Sequence, residues 1–398
     1  MRKFSIAAAW CLCMALTACG GGSSSNASTS ASSTPPVQNT MSISVGPNVD
    51  GNRNLLMASV TICVPGTSNC QTINNILVDT GSYGLRLVAS AVSLPLPKVS
   101  AAVGGTLATC AAFGSGTTFG SVAKADIRLA GEVASSAPVQ IIGDATVGTS
   151  PADCSSQGVR DMNTAQQLGS NGILGIGLRT ADCGQGCVAN AYASQTPYYG
   201  CSSATSCAPT VVALDKQVTN PVSLFAADNN GVVIKLPAVP ASGLPGVTGS
   251  LTFGIGTQND NGLGSATVYT VDPRYDTLST QYKDYTHSRS FLDSGSNGLF
   301  FEDSSIAPCG GASPFYCPAS TTSLSAVMIG ANGNNTSINF SIGNAITMVN
   351  GGAYAMNNLG ANVGGMFDWG LPFFYGRTIY SAIDGKSTPA GPGPYYAF

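Results

Sequence analysis

A ten-residue stretch occurs twice in this chain, and few architectures accommodate both copies. The first is Ile76-Leu77-Val78-Asp79-Thr80-Gly81-Ser82-Tyr83-Gly84-Leu85; the second is Ser290-Phe291-Leu292-Asp293-Ser294-Gly295-Ser296-Asn297-Gly298-Leu299. Each runs from an apolar strand into an Asp, a hydroxyl residue, Gly and Ser, then one variable residue and Gly-Leu. A carboxylate at the end of a buried strand is costly unless it is hydrogen-bonded, and the Thr or Ser and the Gly that follow supply donors and a tight turn. Two such loops imply two carboxylates brought together. Carboxyl groups at hydrogen-bonding distance do not readily both ionise, so they share a proton, one acting as base and one as acid. Such a pair activates water with no metal, no cofactor and no nucleophilic side chain.

The rest of the composition fits an extracytoplasmic strand-and-turn protein. At 398 residues the chain is long enough for two cores, since single cores stop growing near roughly 250–300 residues. Charged residues make up 9%, and Gly numbers 49, which argues for strands and turns over a helical bundle. A net charge of -3 with no basic cluster argues against nucleic acid as a partner.

Residues 1–18 read as a signal peptide: Arg2-Lys3, an apolar run over 4–16, then Leu16-Thr17-Ala18-Cys19-Gly20, which resembles a bacterial lipobox. The simpler alternative is a plain secretory signal cut after Ala18. Lipidation at Cys19, with Gly20 following, implies an outer-membrane lipoprotein of the cell envelope, facing the periplasm or the exterior. Residues 19–40, mostly Gly, Ser, Ala, Thr and Pro, then form a flexible tether. No later stretch is long and apolar enough to span a bilayer as a helix.

Thirteen cysteines become ten once Cys11, Cys13 and Cys19 are set aside, an even number in an oxidising compartment. Sequence does not fix connectivity. Cys63 with Cys70, Cys183 with Cys187, Cys201 with Cys207 and Cys309 with Cys317 are neighbours in turn-rich segments, which leaves Cys110 with Cys154. Cys183 and Cys187 also have spacing that permits zinc, but His287 is the one imidazole in the chain. The same shortage weakens a serine or cysteine hydrolase, which needs a base beside its nucleophile. His287 itself reads as a surface or strand residue.

Short apolar or alternating runs at 59–64, 75–79, 125–129, 139–142, 231–236, 250–254 and 266–271 predict strands at sandwich or barrel spacing. Helix is expected only at 211–218 and 220–227, where Pro221 suits a helix start.

With these segments placed, the two loops resemble those of pepsin-type (retropepsin-related) aspartic peptidases. Supporting segments fall in the same order: 59–79 resembles the strand, turn and strand entering the first loop. Phe113-Gly114-Ser115-Gly116-Thr117 resembles the flap hairpin. Asn171-Gly172-Ile173-Leu174-Gly175-Ile176-Gly177 and Asp368-Trp369-Gly370-Leu371-Pro372-Phe373-Phe374 resemble the Gly-containing runs that cross behind the two loops. The layout is also similar to a group of uncharacterised proteobacterial lipoproteins.

The resemblance implies an all-β, bilobal fold of two orthogonal β-barrel lobes with a cleft between them, the lobes spanning 41–258 and 259–398. It also implies a catalytic dyad of Asp79 and Asp293, supported by Thr80, Gly81, Ser82, Ser294, Gly295 and Ser296. Two departures stand out. Phe113 replaces the usual flap Tyr, and Arg86 replaces the usual Trp, placing a guanidinium near the pocket to pair with an acidic substrate group or a protein carboxylate, or else in solvent. No basic prosegment is present in 20–40.

The leading function is therefore a monomeric aspartic endopeptidase acting on peptide or protein. A catalytically silent peptide-binding module is second. A purely structural lipoprotein is disfavoured, because nothing structural calls for facing carboxylates.

Overall fold

The computed structural model describes residues 38–48, 50–154, 160–189, 196–311 and 313–398. The expected signal peptide, Cys19 and the tether as far as residue 37 lie outside the described residues. The chain is held in the fold from Asn39, which is buried and whose side-chain amide donates to the Phe253 carbonyl at 3.1 Å. The strand Thr40–Val45 follows, paired antiparallel with Val247–Phe253.

The first lobe forms because its strands alternate with period two. In Met57–Cys63, Ala58, Val60 and Ile62 point inward while Ser59 faces solvent. The strands Gly116–Leu129, Glu132–Ile142, Tyr83–Val88, Gly172–Ile176, Cys70–Asp79 and Met57–Cys63 follow one another around a ring. Pairing of Met57–Cys63 back onto Gly116–Leu129, with Thr61 opposite Arg128, closes the ring into a six-stranded barrel. Closure leaves no unpaired edge. Val60, Ile62, Ile76, Val78, Leu85 and Leu174 fill the barrel with no exposed surface.

The second lobe is a seven-stranded sheet in the order Asn335–Ile342, Thr322–Ile329, Leu278–Tyr282, Tyr285–Leu292, Phe367–Trp369, Leu299–Phe301, Gly360–Asn362. Among the described residues no pairing joins its two ends, so this lobe is a half-barrel. Its core is aromatic: Phe301 stacks on Phe367 with ring centroids 5.0 Å apart, and Phe367 meets Trp369 at 4.6 Å. The bilobal all-β architecture expected from sequence is the one that forms, with one lobe closed and the other open. The longer sheet runs on past the barrel through Val247–Phe253, Gly231–Lys235, Thr378–Ala382, Tyr395–Ala397 and Val268–Thr270, so strands from both sides of residue 258 share it.

Both lobes contain the same local device. A strand enters the Asp loop, another leaves it, and a third slips between them, parallel to the first and antiparallel to the second. In the first lobe the inserted strand is Gly172–Ile176; in the second it is Phe367–Trp369. The insertion requires glycine. A Cβ on Gly175 would lie 2.6 Å from the Tyr83 nitrogen, and one on Gly370 would lie 2.1 Å from the Gly298 oxygen.

All seven predicted strands are present. The two expected helices are not: 211–227 holds only the single 3-10 turns Leu214–Lys216 and Pro221–Leu224. The β-branched Val211, Val212 and Val218 lose rotamer freedom in a helix, and burial of Val212 and Val218 in extended backbone outweighs the local start signal at Pro221. The five disulfides join Cys63 to Cys70, Cys110 to Cys154, Cys183 to Cys187, Cys201 to Cys207 and Cys309 to Cys317. Bonded to each other, Cys183 and Cys187 offer no thiolate to zinc. His287 lies in the strand Tyr285–Leu292, buried between Tyr285 and Phe367, so the surface alternative does not hold.

Candidate active site

The two loops meet through their hydroxyl residues. Thr80 Oγ1 donates to the Leu292 carbonyl at 3.0 Å and accepts from the Ser294 backbone N–H at 2.9 Å. Ser294 Oγ donates to the Val78 carbonyl at 2.8 Å and accepts from the Thr80 N–H at 3.1 Å. These four bonds are reciprocal, and both side chains are buried. They pin the end of each entering strand to the other lobe.

That clasp aims the carboxylates at each other. Asp79 Oδ1 accepts from the Gly81 N–H at 2.8 Å, and its Oδ2 accepts from the Ser82 hydroxyl. Asp293 Oδ1 accepts from the Gly295 and Ser296 N–H groups at 2.8 and 3.2 Å, and its Oδ2 from the Ser296 hydroxyl at 2.9 Å. Each loop glycine lies against the opposite carboxylate. A Cβ on Gly81 would sit 2.8 Å from Asp293 Cγ, and one on Gly295 would sit 2.6 Å from Asp79 Oδ1 and 3.2 Å from Asp293 Oδ1. Burial, and next the Asp293 charge, hold the Asp79 carboxyl well above the ordinary carboxylate range, against the opposing pull of Ser82 and Gly81. Asp79 is buried and Asp293 half-buried, and the raised Asp79 carboxyl is the one that holds a proton.

Arg86 is not turned to solvent, nor is it free for substrate. It is 3% exposed, with Nη2 2.9 Å from Asp182 Oδ2 and Nη1 donating to Gln140 Oε1 at 2.9 Å. The Tyr198 hydroxyl donates to the other Asp182 oxygen at 2.6 Å and accepts from the Val218 N–H. Of the alternatives, pairing with a protein carboxylate is the one realised.

A family model described as "Protein of unknown function (DUF3443)" matches residues 35–398. The chain belongs to that family. No curated protein matches the chain. Among solved structures, an aspartic proteinase from Irpex lacteus is similar at 16% sequence identity over 90% of this chain and 96% of that one, with a TM-score of 0.47.

In this DUF3443 member a cleft of about 920 Å³ opens over both loops. Its walls include Gly81, Tyr83, Phe291, Asp293 and Tyr396. Tyr83 sits at the variable position of the first loop, and a bidentate Arg179 ties the wall residue Asp276 at 2.5 and 2.7 Å. The segment expected to be a flap is a hairpin of Thr106–Phe113 and Gly116–Leu129, with Phe113 half-buried and Gly114 and Ser115 exposed at its tip. Residues 113–116 do not line that cleft.

One carboxylate beside the two loops is marked by no motif. Asp368, within the Gly-containing run that crosses behind the second loop, is 3% exposed and feels the charges of Asp293 and Asp79. Its signal in the sequence was an Asp between Phe367 and Trp369, where the first copy has Ile173.

Proposed function

We propose that this protein hydrolyses peptide bonds with a water molecule activated between Asp79 and Asp293. The reciprocal clasp of Thr80 and Ser294, which turns one buried and one less buried carboxyl toward each other across the lobes, is the observation that carries this reading. Asp293, with three donors on its oxygens, is the anionic base; Asp79, buried and protonated, is the acid. Water attacks the scissile carbonyl carbon as Asp293 takes one of its protons and Asp79 gives its proton to the carbonyl oxygen. The tetrahedral intermediate collapses when Asp293 protonates the departing nitrogen and Asp79 recovers its proton from the geminal hydroxyl. Both groups return to their starting states.

The substrate class is a peptide or unfolded protein, and the setting we propose is the bacterial envelope, with a lipid on Cys19 as anchor. Five disulfides are in keeping with an oxidising compartment. The test is cleavage of an unfolded protein across acidic to neutral pH, with and without pepstatin, for wild type and for Asp79→Asn. Pepstatin-sensitive cleavage lost in the variant supports the reading. A wild type that binds peptide and cuts nothing at any pH overturns it in favour of a binding module.

A further inference from the structure

Two buried carboxyls, Asp79 and Asp368, and the half-buried Asp293 converge beside the second loop, and the donors around them are unequally shared. Asp79 receives two hydrogen bonds and Asp293 three. Asp368 lies near the Ser296 hydroxyl, and its Oδ1 has no partner. A buried carboxylate left with a bare oxygen is strongly disfavoured, whereas a neutral carboxyl tolerates one unpaired oxygen at far lower cost. Ser296 has one hydroxyl proton, and at 2.9 Å it is donated to Asp293 Oδ2. A bond between Ser296 and Asp368 therefore needs a proton from the Asp368 side.

Strand register puts Asp368 on the working face. Phe367–Trp369 pairs in parallel with Tyr285–Leu292, with Phe291 opposite Asp368, and antiparallel with Leu299–Phe301, with Phe300 opposite Asp368. Phe291 and Asp293, two apart, share a sheet face and line the cleft. The titratable groups that face Asp368 are Asp293 and Asp79 from the two loops and the Tyr396 hydroxyl from Tyr395–Ala397. No cation is among them.

We propose that Asp368 is a third, protonated carboxyl of the site, which positions Asp293 by donating its proton to the Ser296 hydroxyl. Asp368 O–H to Ser296 Oγ, and Ser296 O–H to Asp293 Oδ2, then form a one-way chain ending on the general base. The chain fixes the rotor of Ser296, keeps Asp293 as the anion and leaves the dyad proton on Asp79. Burial, then the Asp293 charge, raise the Asp368 carboxyl well above its ordinary range, against the opposing pull of a Ser296 hydroxyl that hydrogen-bond geometry commits to Asp293 instead. Asp368 touches no substrate; it acts through Ser296. The catalytic consequence rests on the peptidase reading, whereas the protonation and the chain do not.

The experiment uses the folded mature protein with 13C-labelled Asp side chains, followed by NMR across pH, beside steady-state peptidase kinetics. The resonance lost in Asp368→Asn should stay in its protonated position through neutral pH. Asp368→Leu removes the donor and should move the Asp293 titration, while Asp368→Asn, which still donates an N–H to Ser296, should restore it. In kinetics, Asp368→Leu should lower kcat about tenfold with KM little changed, and Asp368→Asn should recover most of that loss. In a Ser296→Ala background, Asp368→Leu should add nothing. An Asp368 that titrates with surface carboxylates, or an Asp293 titration that ignores both variants, overturns the proposal. A wild type that cuts nothing while these titrations hold would sink the peptidase reading and leave the hydrogen-bond chain standing.

Discussion

The two Asp loops share Asp, Gly, Ser and a closing Gly-Leu, yet each lobe puts a buried ionisable group at a different one of two equivalent positions. Arg86, on the strand leaving the first loop, lies opposite the apolar Ile173 of the inserted strand. In the second lobe Phe300 occupies the place of Arg86, and the inserted strand presents Asp368. The first charge is matched by Asp182 and Gln140. The second has a single hydroxyl for company. A buried charge matched by a counter-ion is architecture, whereas a carboxyl with neither counter-ion nor donors enough is either neutral or at work on its neighbours.

The comparison is broken most severely at the dyad itself. Asp79→Asn and Asp293→Asn should each lower kcat by at least about a thousandfold, because the surviving carboxyl cannot act as acid and base together. Residual cleavage in the double variant would assign the activity elsewhere. Next in size is the first-lobe charge. Arg86→Leu strands Asp182 in the interior and should cost about 3–5 kcal/mol in urea unfolding, whereas Asp368→Leu, which removes a lone neutral carboxyl, should cost far less. Equal losses for the two would mean that a counter-ion makes no difference to a buried group at these positions.

The clasp should respond symmetrically. Thr80→Val and Ser294→Ala each leave one buried N–H and one carbonyl unpaired across the lobes, so each should cost about 1–3 kcal/mol. A large inequality would mean that one lobe supports the interface without the other. The supporting serines should not be equal: Ser296→Ala breaks the contact with Asp368 as well as with Asp293, and should slow turnover more than Ser82→Ala, by about a few-fold.

The smallest effect is in the pH dependence of stability. Asp79 and Asp368 have raised folded values, so the stability they contribute is complete below the unfolded value of about 3.9 and is lost as pH rises toward neutral. Asp303, held at about 2 by Ser305, Tyr282 and Lys283 against the cost of burial, contributes in the opposite sense, and its share is lost as pH falls through that value. Thermal melting should therefore peak in mildly acidic buffer, and Asp368→Asn should flatten the decline on the neutral side.

What could be read from the order of residues was whatever is settled within a few positions along the chain. Asp79 and Asp293, the Gly and Ser that hydrogen-bond them two and three residues on, and the four close cysteine pairs are local facts, so motif and spacing reveal them. The strands were legible for the same reason, since period-two burial is written into each segment. The failed helices at 211–227 mark where local preference yields to burial. The partner of Arg86 lies 96 residues away, and Asp368 reaches Ser296 from a strand that looks apolar in sequence. Which carboxyl keeps a proton was likewise a tertiary matter, because desolvation and the number of donors within reach exist only once distant strands have packed around the group.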